Sequence, residues 1–61
     1  MKLKQFRQDN GLSQNELGKK VGYTQQAVAK WESGESEPNS KTLIKLSQIF
    51  NCSVDELLKE G

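Results

Sequence analysis

The sequence has no histidine, one cysteine (Cys52), one proline, one tryptophan, one tyrosine and two phenylalanines among 61 residues. Without histidine, the side chain that most often serves as general base and metal ligand near neutral pH is missing. A single cysteine excludes an internal disulfide, on which secreted domains of this size ordinarily rely. Its thiol is expected to be reduced and buried, as cysteine usually is. No Ser/His/Asp or Cys/His set can be assembled, so no catalytic residue, metal or cofactor is expected. No apolar run approaches the roughly 20 residues needed to span a bilayer. Met1-Lys2-Leu3-Lys4-Gln5 is charged but leads into no apolar stretch, unlike a signal peptide. The expectation is a cytoplasmic protein with neither a membrane nor a small-molecule partner.

What remains is lean: hydrophobic residues make up 33% and charged residues 28% of the chain. A domain this short buries only about 60% of its unfolded surface, which leaves a marginal core. Residues 1–61 are read as one globular domain, because periodic apolar runs recur and linker-like stretches are few. The net charge of +1 does not point to nucleic acid, but its distribution is uneven. Residues 1–31 carry six bases and two acids, residues 32–61 three bases and six acids. Such a chain can present a basic face while keeping an acidic one away from it.

Turn and cap signals divide the chain into five short helical segments. The first runs from about Lys2 to Asp9, with Leu3 and Phe6 on one face and Asn10-Gly11 as its stop. Ser13-Gln14-Asn15-Glu16 fits a capping box at the start of the second, which carries Leu17 and Val21 and closes at Gly22. Thr24 caps the third, whose apolar side is Ala27, Val28 and Trp31; Ser33-Gly34 ends it. After a polar loop, Glu35–Pro38, the fourth begins at Asn39-Ser40 with Leu43, Ile44, Leu46, Ile49 and Phe50 as apolar positions and Asn51 as its stop. Ser53-Val54-Asp55-Glu56 reads as a second capping box, and Val54, Leu57 and Leu58 give the fifth segment its apolar side. No period-2 run supports a strand, so the fold class is all-α.

The stretch Gln14–Glu32 is the most informative. Two helices of about two turns each flank Val21-Gly22-Tyr23, a helix-turn-helix arrangement. Leu17, Val21, Val28 and Trp31 are expected to bury the crossing, and Gly22 to supply the positive φ of a sharp turn. Trp31, Phe6, Phe50 and the leucines are read as core.

These residues resemble the Cro/C1-type repressors, also called XRE-type regulators. The resemblance rests on Gly11-Leu12-Ser13-Gln14, Leu17, Val21-Gly22, Trp31-Glu32-Ser33-Gly34 and Pro38. It continues through Leu43, Leu46 and Phe50–Leu58, so it covers almost the whole chain. It implies a compact five-helix domain of the lambda-repressor-like type. It also implies sequence-specific binding of double-stranded DNA by a transcriptional regulator, a repressor, acting as a homodimer on a two-fold symmetric operator. The second helix of the pair would enter the major groove.

Thr24-Gln25-Gln26 resembles the start of the recognition helix in lambdoid phage repressors. Gln25 and Gln26 are expected to contact bases, since glutamine can pair bidentately with adenine N6 and N7. Lys30, on the same outward side, is expected to reach a guanine or a phosphate. Gln14, at the N-terminus of the second segment, where free amides favour a phosphate oxygen, is expected to contact the backbone; the resemblance implies the same and adds that it supports the first recognition glutamine. Asn39, at the start of the fourth segment, is read as a second phosphate contact, joined by Ser40 and Lys41, or else as a plain helix cap. The resemblance further implies that Arg7 pairs with Glu32, with a phosphate contact as an additional role for the guanidinium. Tyr23 is expected either to pack at the turn or to lie at the DNA face. Three departures from the family pattern stand out. Gly18 replaces the usual alanine, with a crossing expected to tolerate either; Tyr23 is larger than the usual turn residue; and Glu35-Ser36-Glu37 is acidic. The competing reading is a protein-interaction or antitoxin-like module on the same fold.

Overall fold

The computed structural model describes residues 1–60. It consists of α1 (Leu3–Asp9), α2 (Gln14–Val21), α3 (Gln25–Ser33), α4 (Ser40–Ile49) and α5 (Val54–Leu58), with no strand among the described residues. None of these helices is long enough to be stable alone in water, so each depends on burying its apolar face. No helix among the described residues is long and apolar enough to cross a membrane.

The caps explain where the helices begin and end. Ser13 Oγ accepts the Glu16 N–H at 3.0 Å while the Glu16 carboxylate accepts the Ser13 N–H at 2.9 Å, closing the expected box. Thr24 and Asn39 accept the backbone N–H of Ala27 and Thr42, respectively. Gly22 (φ 81°) and Gly34 (φ 83°) end α2 and α3 in the left-handed conformation that glycine adopts without steric cost. Asn51 stops the chain after α4 at φ 53°, a conformation asparagine tolerates better than most residues. The second expected box forms only in part. Ser53 Oγ accepts the Glu56 N–H at 3.0 Å, but the Glu56 carboxylate lies against the Ser53 hydroxyl at 3.4 Å and does not reach back to the Ser53 N–H.

Leu3, Leu17, Val21, Val28, Trp31, Leu46, Phe50 and Leu57 form the core; every helix contributes at least one of them, and Phe50 is the C-cap of α4. Phe6 stacks on Phe50 at 5.8 Å between ring centroids and is half-buried. The Lys2 N–H donates to the Leu57 carbonyl at 2.8 Å, tying the start of the chain to α5. Several expectations are corrected. Ile44 (52% exposed) and Leu58 (43% exposed) are not core residues. On α4 the buried positions are Thr42 and Leu46, four residues apart on one stripe, and Ile44 falls outside it. α1 starts at Leu3, with Lys2 as an N-cap that has no side-chain bond. Cys52 is half-buried; its thiol pKa is raised, chiefly by burial and secondarily by Glu56.

The α2–α3 crossing is tight at Gly18. A Cβ at Gly18 would lie 2.8 Å from the Tyr23 carbonyl oxygen and 3.0 Å from the Thr24 carbonyl carbon and oxygen. A methyl group at this position of α2 is therefore not accommodated against the turn, contrary to the expectation that the crossing tolerates either alanine or glycine. The turn backbone would have to move, because the obstructing atoms are main chain.

Removing the Ser13 hydroxyl (Ser13→Ala) is expected to lower stability by about 1 kcal/mol. The Ser13 backbone and side-chain bonds lower the Glu16 pKa from its ordinary value. The stabilisation is therefore present above the ordinary glutamate range and is lost as pH falls through the lowered pKa. Urea denaturation of wild type and Glu16→Gln between pH 7 and pH 2 is expected to show the two converging in stability at the acid end.

Candidate nucleic-acid interface

α3 shows two chemically distinct sides. Val28 and Trp31 are buried, and Ala27 is half-buried; Gln25, Gln26 and Lys30 are exposed. Gln26 and Lys30 are four residues apart, so they share one face of the helix, with Gln25 at its first position. The partition follows from the sequence, because Leu17, Val21, Val28 and Trp31 are the apolar residues of the crossing and all four are buried. With that contact formed, the α3 stripe bearing Gln26 and Lys30 must face outward.

A second set of side chains fixes α3 from behind. Glu32, in its last turn, accepts the Arg7 Nε–H at 2.7 Å and an Arg7 Nη2–H at 3.2 Å, a bidentate pair. Arg7 Nη1 donates to the Leu12 carbonyl at 2.8 Å. The Arg7 and Glu32 side chains are 11% and 6% exposed, so the pair is nearly dry. Its hydrogen bonds raise the arginine pKa, with burial opposing them. Glu32 Oε1 also accepts from Gln14 Nε2 at 3.1 Å. One carboxylate thus gathers α1, α2 and α3. Sequence reasoning paired Arg7 with Glu32, but it did not anticipate Gln14 as a third member. No local pattern in the sequence reports this contact, which joins residues 18 apart on different helices.

Electrostatically, both acids between residues 14 and 33 are internally committed, Glu32 to Arg7 and Gln14, and Glu16 to its own N-cap. Lys19, Lys20 and Lys30 are exposed on the same two helices, with no ion pair among the described residues. The pair of helices is therefore effectively basic, although the whole chain is close to neutral.

The remaining site residues lie at the start of α4. Asn39, Ser40 and Lys41 are exposed, and Asn39 Oδ1 is held by the Thr42 N–H at 2.9 Å. Gln14 is half-buried. Arg7 turns inward onto Glu32 and Leu12, the structural role expected for it. Tyr23 packs at the turn, its ring edge-on against Trp31 at 5.0 Å, and it remains 41% exposed. No cluster of histidine, cysteine or carboxylate side chains that could hold a metal occurs among the described residues.

This arrangement, two short helices locked across a glycine-tight turn with a polar stripe outward, defines a helix-turn-helix domain of the Cro/C1 type. The helix-turn-helix family model HTH_3 matches residues 3–57, and the chain belongs to that family. It is 45% identical over 58 residues to the SPbeta prophage-derived uncharacterized HTH-type transcriptional regulator YonR of Bacillus subtilis, covering 95% of this chain and 54% of that protein. It is 46% identical over 48 residues to Repressor protein C2 of Salmonella phage P22, covering 79% of this chain and 22% of that protein. The chain thus spans about half or less of the length of these relatives. Among solved structures it is similar to the P22 c2 repressor crystallised with a synthetic operator, with a TM-score of 0.88 and 40% identity. That similarity covers 95% of this chain and 88% of that one.

Glu32→Ala leaves the Arg7 guanidinium buried without its counter-charge, and is expected to destabilise the domain by about 3–5 kcal/mol. Replacing both partners with apolar residues (Arg7→Met with Glu32→Leu) is expected to restore most of that loss. Chemical denaturation of the single and double variants measures both.

Proposed function

We propose that this chain binds double-stranded DNA sequence-specifically and serves as a transcriptional repressor, with α3 as the recognition helix in the major groove. The observation that carries the proposal is the exposed Gln25, Gln26 and Lys30 on a helix whose other side is buried against α2. The likeness to a repressor crystallised with its operator supports it.

In this reading Gln25 and Gln26 contact base edges, each amide being able to donate to and accept from adenine. Lys30, one helical turn beyond Gln26, contacts a guanine or a phosphate. Gln14, Asn39, Ser40 and Lys41 contact the backbone, fixing register without carrying sequence information. Gln14 keeps a second amide N–H to donate to a phosphate oxygen while the first is bonded to Glu32. Arg7 holds α3 in place and is not assigned a phosphate, since its side chain is 11% exposed. The chain acts as a homodimer on half-sites about one helical turn, roughly 34 Å, apart. It works in the cytoplasm, by binding and not by catalysing a reaction.

Gln25→Ala is expected to weaken binding to the selected site by about 1–3 kcal/mol and to relax preference at one base pair, with little change on random duplex. Equal losses on both duplexes would contradict base reading. Lys41→Ala is expected to weaken binding on all sequences and to reduce the slope of log K against log salt by about 0.9. Fluorescence anisotropy titrations across a salt series read both effects. A protein-interaction module would show no such slope with duplex DNA.

A further inference from the structure

Two of the departures from the family pattern, Gly18 and Tyr23, are one feature of the structure. The Tyr23 N–H donates to the Gly18 carbonyl at 2.7 Å, and the Tyr23 carbonyl oxygen occupies the space a Cβ at position 18 would need. The missing methyl lets the turn close down on α2. Closed in this way, the turn lays the Tyr23 ring edge-on against Trp31 and brings its hydroxyl to 3.5 Å from Asn39 Nδ2. A tyrosine at the turn thus reaches across to the residue that caps α4.

The hydrogen-bond directions at this contact are fixed. Asn39 Oδ1 accepts the Thr42 N–H, so the amide nitrogen is the end that faces Tyr23. The tyrosine oxygen is therefore the acceptor, and its own proton is donated elsewhere. No acceptor for that proton occurs among the described residues, and Asn39 Nδ2 retains a second N–H. The contact itself is long for a hydrogen bond, so neither group is saturated by it. Two neutral donors, both on exposed residues, lie side by side next to Ser40 and Lys41. Tyrosine and asparagine are both among the side chains that bond phosphate oxygens in protein–DNA interfaces.

We propose that Tyr23 and Asn39 act together as a two-donor clamp on a single DNA backbone phosphate, with Gly18 setting the turn that brings the tyrosine into place. The inference rests on the DNA-binding reading above and adds Tyr23, whose hydroxyl contributes affinity and register without base preference. The clamp is uncharged, so it releases no counterion when it closes on the phosphate and leaves the salt slope as it is. That separates it from Lys41, a charged contact on the same stretch of backbone.

The test uses the full chain titrated against a labelled random-sequence duplex, and against a selected duplex, at several salt concentrations. Binding of wild type with a steep salt slope establishes the underlying reading, and its absence would overturn that reading regardless of Tyr23. Tyr23→Phe keeps the ring on Trp31 and removes only the hydroxyl. It is expected to bind both duplexes about 3–10-fold more weakly, with unchanged salt slope and unchanged thermal midpoint. Asn39→Asp keeps the acceptor for the Thr42 N–H but sets a negative charge where the clamp donates, and is expected to lose more than Tyr23→Phe. Wild-type affinity in either variant would overturn the clamp, as would a Tyr23→Phe loss confined to one duplex.

Discussion

The approach of the α2–α3 turn to Gly18 is the constraint on which the interface depends. Backbone atoms of Tyr23 and Thr24 lie where a side chain would otherwise begin. That proximity sets the crossing of the two helices, and the crossing decides which face of α3 is buried. Leu17 and Val21 from one helix and Val28 and Trp31 from the other close the contact. Gln26 and Lys30 then face outward as a consequence of what the opposite side of α3 buries. With only eight hydrophobic side chains in the core of the described residues, local fit at this turn carries unusual weight.

The Glu32 carboxylate complements that contact with directional bonds. Hydrophobic burial holds α3 against α2 but tolerates small rotations; a bidentate arginine does not. By receiving Arg7 from α1 and Gln14 from α2, Glu32 fixes the last turn of α3 relative to both. The net contribution of such a nearly dry pair to stability is modest, because desolvation offsets much of the attraction. Its contribution is to geometry and to charge. It removes a negative charge from the basic helix pair, leaving Lys19, Lys20 and Lys30 to set the local potential. The exposed acids of the loop and of α5 lie outside that pair in sequence, which is why a chain with a net charge near zero can still present a cationic pair of helices.

Much of this was legible in the residues. The capping box at Ser13–Glu16, the glycine stops and the four crossing residues are local or strictly periodic signals, and they appear in the structure as read. The Arg7–Glu32 pair, separated by 25 residues, was reachable only through family resemblance. Three kinds of information were not legible. Ile44 and Leu58 are apolar yet exposed, because helical periodicity ranks candidates for burial but does not say where the apolar stripe is centred; Thr42 sits at the centre of α4's stripe instead. The Ser53–Glu56 motif has the letters of a capping box, but its glutamate lies against the serine hydroxyl rather than the backbone. The cost of a methyl group at Gly18 depends on main-chain atoms five and six residues away, and no composition or pattern argument reports a distance of 2.8 Å. For the candidate site, the exposure of Gln25, Gln26 and Lys30 was foreseeable; the links between residues, Gln14 to Glu32 and Tyr23 to Asn39, were set by tertiary geometry.

Selection of bound duplexes from a random library, carried out at two salt concentrations, tests the outward-facing recognition helix most directly. The account predicts enrichment of a two-fold symmetric site with half-sites about one helical turn apart, and a steep loss of recovery at the higher salt. Recovery of unenriched sequence at both concentrations, or binding indifferent to salt, would contradict it.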